Sequence, residues 1–171
     1  MARYTIVPER SRVWIEARSN LHPIHSTTDG LEGYIDLEAA ATGKLDAVAQ
    51  PAGKLSLRVS RLSSGNRLED REMQKRINAR RFPTVDGVLT DMQPAGGDGC
   101  YKVTGDVVFR GISRRCEDEM TVNCVDERTI KLEGASNFDI RDFGMEPPRI
   151  LMLRVEPDVS VRVEIVAMKE P

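Results

Sequence analysis

Few side chains in this sequence could take part in chemistry, and their spacing assembles no catalytic set. His22 and His25, the only histidines, lie in Leu21-His-Pro-Ile-His-Ser26. A metal held there would need carboxylate or thiolate partners that the spacing does not show. An ordered loop is the expectation, with His25 able to reach the polar end of a ligand. Ser63-Ser64-Gly65 reads as a loop with no general base identifiable near it, not as a nucleophile elbow. No Gly-rich loop leads from a strand into a helix, which argues against a nucleotide site. Asp142, in Arg141-Asp-Phe-Gly144, reads as a turn acceptor for nearby backbone N–H groups. No catalytic residue and no metal ligand is assigned.

Asp118 is the unusual carboxylate. It falls in phase with Cys116, Met120, Val122 and Cys124 on an otherwise apolar strand face. A carboxylate there needs a partner, an opening to water, or a raised pKa. Two readings stay open: Asp118 points inward and meets the polar head of a ligand, or a local bulge turns it out to solvent beside Glu117 and Glu119. The three cysteines, Cys100, Cys116 and Cys124, lack metal-like spacing. Cys116 and Cys124 share one predicted strand about 27 Å apart, at about 3.3 Å per residue, and cannot bond to each other. A hairpin of 100–109 with 115–124 would bring Cys100 near Cys124 but onto the opposite face. Free thiols packed as small hydrophobes are expected.

The elements that must position these residues are mostly strands. Val13, Ile15 and Ala17 alternate with polar neighbours, as do Leu31, Gly33, Ile35 and Leu37. So do Leu55, Leu57 and Val59, then Tyr101 to Phe109, then Ile130, Leu132 and Gly134, and finally Val159 to Ile165. A period of two marks half-buried strands. Turn signals at Asp29-Gly30, Gln50 to Gly53, Pro94 to Gly99 and Gly111 divide about eight of them. Strands with one apolar face and no crossover helix predict a barrel or a sandwich, and eight suffice for a barrel that holds one small ligand. Residues 66–81 break the pattern and predict a helix. Asn66 and Glu69 stand at capping-box spacing, Met73 and Ile77 stack at i, i+4, and Phe82-Pro83 stops it. This helix reads as a lid over one barrel end.

The 171 residues suit one domain spanning 1–171, and a net charge of −2 with interleaved signs excludes the basic footprint of a nucleic-acid binder. Pro8, Glu9 and Arg10 cut short the N-terminal apolar stretch, so no signal peptide is read. No run approaches the ~18 apolar residues of a membrane span, and the expectation is a cytoplasmic protein.

Several motifs then point to a known family. Arg61-Leu-Ser-Ser-Gly-Asn66, Asp70-x-x-Met73-x-x-x-Ile77 and Arg81-Phe-Pro-Thr-Val85 resemble the helix and strand entry of the YceI-like lipid-binding proteins. Tyr101 to Ser113 resembles their central hairpin, Phe138 to Pro148 their Asp-Tyr-Gly-Ile-x-Pro-Pro stretch, and Val159 to Ile165 their closing strand. The resemblance implies an all-β fold: an eight-stranded antiparallel lipocalin-like barrel with one short helix as a lid. It also implies binding, storage or transport of a long-chain lipid, such as a polyisoprenoid, a polyprenyl quinone or a fatty amide. Two positions depart from the family pattern. Gly87 stands where a bulky inward residue is usual, so the cavity is wider there or the strand bulges, and Asp118 replaces an aliphatic residue.

Inward alternation nominates Ile15, Leu31, Ile35, Leu57, Val85, Leu89, Val107, Phe109, Met120 and Val122 as tunnel lining, with Met73 and Ile77 from the lid, and Asp118 and His25 for the head. Alternation by itself favours a solid core with no tunnel; the family resemblance favours the cavity. No cofactor is expected beyond a bound polyprenyl lipid or isoprenoid quinone. Transient membrane contact and a homodimer are both compatible with the sequence. The alternative function is an enzyme using the same cavity, with Asp118 or a mouth histidine as acid/base on a hydrophobic small molecule.

Overall fold

A sheet with one apolar face must cover that face, and here the sheet does so by closing on itself. The computed structural model describes residues 2–39, 45–46 and 51–171. Its strands are β1 (Ala2–Ile6), β2 (Arg12–Ser19), β3 (Ile24–Thr28), β4 (Leu31–Ala39), β5 (Leu45–Asp46) and β6 (Ala52–Arg58). The helix α1 (Arg67–Ile77) follows, then β7 (Thr84–Pro94), β8 (Cys100–Phe109), β9 (Ile112–Cys124), β10 (Thr129–Asp139), β11 (Arg149–Ile150) and β12 (Leu153–Lys169). Neighbours run antiparallel in the order β1-β4-β6-β7-β8-β9-β10-β12, and β12 pairs back to β1, which closes an eight-stranded barrel. The long β12 pairs β2 through Val163–Val13 and β1 through Ala167–Ile6. Residues 7–11, with a short 3-10 turn at Pro8–Arg10, separate β1 from β2. Among the described residues no helix is long and apolar enough to cross a membrane.

Two backbone features shape the barrel. Gly33 has φ +138°, and a Cβ there would lie 1.9 Å from the Lys54 carbonyl oxygen, so only glycine lets β4 and β6 approach this closely. Arg110 (φ 53°) and Gly111 (φ 74°) form a two-residue loop between the paired Phe109 and Ile112. Positive φ at both positions is the type I′ geometry that matches strand twist. The Arg110 guanidinium donates to the carbonyls of Ile77 (3.3 Å), Phe143 (3.3 Å) and Gly144, which ties this hairpin tip to α1 and to the segment before β11.

The helix is shorter than the sequence predicts. Asn66 caps it, its Oδ1 accepting from the N–H of Leu68 (3.0 Å) and Glu69 (3.3 Å). The reciprocal half of the expected box is replaced by Ser64, whose Oγ accepts from the Asn66 N–H at 3.2 Å. Asn78 then enters the left-handed region (φ 58°) and ends the helix at Ile77, leaving residues 78–81 as turn. Val59 also departs from expectation: it sits in a 3-10 turn, fully buried, rather than continuing β6.

Two apolar clusters close the two ends. At one end Tyr4, Ile6, Met92, Tyr101, Val122, Ile130 and Ile165 pack as a floor. At the other, Ile77 of α1 packs with Val59, Ile140 and Met145 over Val85, Phe109 and Val159. Phe143 is buried edge-on against Phe109, with ring centroids 5.7 Å apart. The helix is a lid, as expected, and residues 140–145 complete it.

Candidate functional site

Along the long strands the inward side chains pass from buried to part-exposed. On β8 Tyr101 is buried, whereas Val103, Val107 and Phe109 keep accessible surface. On β9 Val122 is buried while Met120, Asp118 and Cys116 are not, and on β12 Ile165 is buried while Val163, Val161 and Val159 are not. Register confirms a shared face, with Val103 opposite Asp118, Tyr101 opposite Met120, and Gly134 opposite both Met120 and Val163. Inward side chains of a closed barrel keep accessible surface only where the lumen beside them is unfilled. The chamber therefore lies between the floor and the lid, and its walls are mainly valine, leucine and methionine.

Gly87 enlarges it. Gly87 pairs with Leu55 on one side and Val107 on the other, both in regular register. A Cβ built on it would meet only the Leu55 Cβ, at 3.8 Å. Of the two readings of this glycine, the wider cavity holds. The bulge of β7 lies elsewhere, between Leu89 and Asp91.

The wall also has a gap. The β9–β10 ladder runs from Ile130–Cys124 to Gly134–Met120 and stops. Beyond it β9 stays paired to β8, and β10 to β12, so the strands part only at this seam. A cavity of about 260 Å³ opens there, lined by inward residues (Cys116, Asp118, Ser136, Phe138) and outward ones (Glu117, Asn137) of the same two strands. In an intact sheet these two series border opposite faces. Here they border one cavity, which makes the seam a window.

Asp118 stands at its inner edge, in unbroken register with Val103, so β9 carries no bulge to turn it out. No hydrogen bond or ion pair among the described residues engages its carboxylate. Its part-exposed position at the window supplies the opening to water that an inward charge requires. Neighbouring Cys116 donates to the Arg114 carbonyl at 3.8 Å, and burial pushes its thiol up, with the Asp118 and Asp106 charges adding to the shift. The turn acceptor expected at Asp142 is Asp139 instead. Asp139 accepts from the Arg141 N–H at 2.9 Å and from its guanidinium at 2.7 Å, and the latter bond holds its carboxyl below the usual range.

The structure sorts the remaining nominated residues. Ile15, Met73, Val85, Leu89, Val107, Phe109 and Met120 are part-exposed, Met73 and Phe109 at the lid. Leu31, Ile35, Leu57, Val122 and Ile77 are buried in the packing of wall, floor and lid. His25 is corrected: it pairs with Glu16 on the outer face, its Nδ1 3.7 Å from the Glu16 carboxylate, and is mostly exposed. Alternation along a strand sends it there, because buried Ile24 takes the inner side. His22 lies in the turn beside the lid, 3.8 Å from Glu69 of α1. Leu55, Val103, Val161 and Val163 join the inner face on the same period of two that nominated their neighbours. Ser136 and Phe138 also lie on the inner face, opposite Val161 and Val159, a placement that the sequence hides because Gly134 and the polar Ser136 blur the alternation of β10. None of the three cysteines is in a disulfide among the described residues.

Comparison with known proteins agrees with this architecture. The model of the YceI-like domain matches residues 4–167. BcnA of Burkholderia cenocepacia superposes with a TM-score of 0.78 at 16% identity, over 94% of this chain and 98% of that one. A polyisoprenoid binding domain from Saccharophagus degradans, implicated in plant cell wall breakdown, gives 0.78 at 11% identity over 98% of both chains. The Campylobacter jejuni YCEI protein gives 0.69 at 14% identity over 85% of both. No curated protein sequence matches.

Proposed function

The chain belongs to the YceI-like domain family, and from that premise we propose that its lumen binds one long-chain lipid and carries or stores it unchanged. The observation behind this reading is the ring of apolar, part-exposed inward side chains between a packed floor and a lid. Such a chamber removes a tail from water at about 0.8 kcal/mol per methylene. Association and ordering offset part of that gain, so a long tail is needed for tight binding. A polyisoprenoid, a polyprenyl quinone or a fatty amide meets this requirement, and a domain of similar fold is a polyisoprenoid binding domain.

Carriage is favoured over catalysis because His25 lies on the outer face against Glu16, away from Asp118, and Cys116 is no activated thiol. A reactive cysteine needs a lowered pKa, and burial together with two carboxylates moves Cys116 the other way. Transient membrane contact is supported at the lid end. Leu151 and Met152 are 92% and 83% exposed at the β11–β12 turn. Asn20 binds this turn through the Met152 carbonyl (3.1 Å) and the Arg154 N–H (2.6 Å), which brings exposed Leu21 alongside.

Native mass spectrometry of the purified protein, followed by lipid extraction, tests the reading. One mole of a long-chain lipid per chain, recovered intact, is expected. A protein that neither retains such a lipid nor takes one up from vesicles would refute it.

A further inference from the structure

We propose that the window between β9 and β10 is the head-group site of the lumen ligand, and that it takes an uncharged head bearing hydrogen-bond donors. A hydroxyl, carboxamide or quinol belongs to this class; a phosphate or carboxylate does not. The inference rests on lipid binding in the lumen and adds the chemistry of the head.

Three observations carry it. First, the window is bordered by inward-phase residues of β9 and β10 that continue the chamber wall, so the polar end of a lipid whose tail fills the lumen would emerge here. Second, the polar groups at its inner edge are acceptors awaiting donors. Continuing the β9–β10 register would set Asp118 opposite Ser136, but the strands have parted, and neither side chain has a hydrogen-bond partner among the described residues. An ionised carboxylate accepts only, and a serine hydroxyl can do either. Third, the charges around the window do not make an anion site. Arg115 pairs with Asp106 at 3.4 Å, Glu117 with Lys102 at 3.0 Å, and Asp139 with Arg141 at 2.7 Å. What remains is Asp118, the exposed Arg114 in phase with it on β9, and the exposed Asp142. Among the described residues Arg114 makes only a 3.5 Å contact, to its neighbour's carbonyl. An anionic head would face two carboxylates with no ion-pair partner among the described residues, against one solvated guanidinium.

Tail-matched pairs test this: oleamide against oleate, and geranylgeraniol against geranylgeranyl phosphate, each displacing the neutral fluorophore N-phenyl-1-naphthylamine from the lumen. The parent is expected to favour the uncharged member of each pair by about tenfold or more, equivalent to about 1.4 kcal/mol. Asp118→Asn should raise affinity for the anionic members and shrink the ratio to about threefold or less. Asp91→Asn, which removes an exposed carboxylate of β7 away from the window, should leave the ratio unchanged. Circular dichroism and thermal melting confirm that each variant is folded. Equal or reversed preference in the parent, or an unchanged ratio in a folded Asp118→Asn, would overturn the proposal. So would a phosphate preference abolished by Arg114→Gln, which would assign the window to the arginine. Displacement by none of the four compounds would refute lipid binding in the lumen itself, and the head-group site with it.

Discussion

Filling the space beside Gly87 separates a chamber that holds a tail from a core that merely looks loose. The position sits between Leu55 and Val107 on the inner face, its backbone is ordinary extended chain, and an added Cβ meets one atom, at 3.8 Å. Gly87→Leu therefore places four carbons in the lumen without displacing backbone. Those carbons occupy room for about three methylenes of tail, which at about 0.8 kcal/mol each is about 2–3 kcal/mol of binding. The dissociation constant of a long-chain ligand should rise roughly 30- to 150-fold. Ligands about three carbons shorter should be affected much less. Stability of the empty protein should hold or improve, since glycine in a strand is unfavourable and the new side chain is buried. The assay is a tail-length series by fluorophore displacement, with urea unfolding of the ligand-free protein alongside. A folded variant with unchanged affinity at every length would show that no tail passes Gly87. A strongly destabilised one would show that the space was already filled.

Further consequences can be checked independently. Gly33→Ala should lower stability by about 3 kcal/mol or more, read from the urea midpoint, because its Cβ would collide with the Lys54 carbonyl in a left-handed backbone. Arg110→Asn keeps a residue tolerant of positive φ but removes the bonds to Ile77, Phe143 and Gly144. A loss of about 1.5–3 kcal/mol and faster ligand release in stopped-flow exchange are expected, and an unchanged off-rate would exclude a latch. The Arg3 guanidinium hydrogen-bonds Asp36 at 2.8 Å and holds its carboxyl below the usual range. Its stabilisation is thus present above about pH 4, the unfolded value, and is lost as pH falls through the lower native one. Arg3→Gln should flatten the acid limb of a stability–pH curve, and an unaltered limb would remove the pair from the account. Replacing Leu151 and Met152 together by serine should slow lipid uptake from anionic vesicles while leaving affinity for monomeric ligand intact; equal uptake rates would rule out membrane contact at this turn.

The strands, their inner faces and the helix were legible because each is a local property. Alternation such as Tyr101 to Phe109 follows from the two-residue repeat of extended chain, and the Asn66 cap from a side chain reaching its own following N–H groups. The side of Asp118 was fixed in phase by its neighbours, but only the intact ladder to Val103 excluded a bulge. Closure, by contrast, depends on β1 meeting β12 across nearly the whole chain, and no local signal records that pairing. The window is less visible still. Nothing local in residues 114–118 or 136–139 marks a break, and whether two strands hydrogen-bond or part is decided by what packs at that edge, here the turn at 140–143 against both β9 and β10. The sequence by itself determined which side chains face inward. The tertiary structure decided which of those are buried, which border open space, and that an inward carboxylate lies where the wall is open, because filling and gaps depend on all eight strands at once.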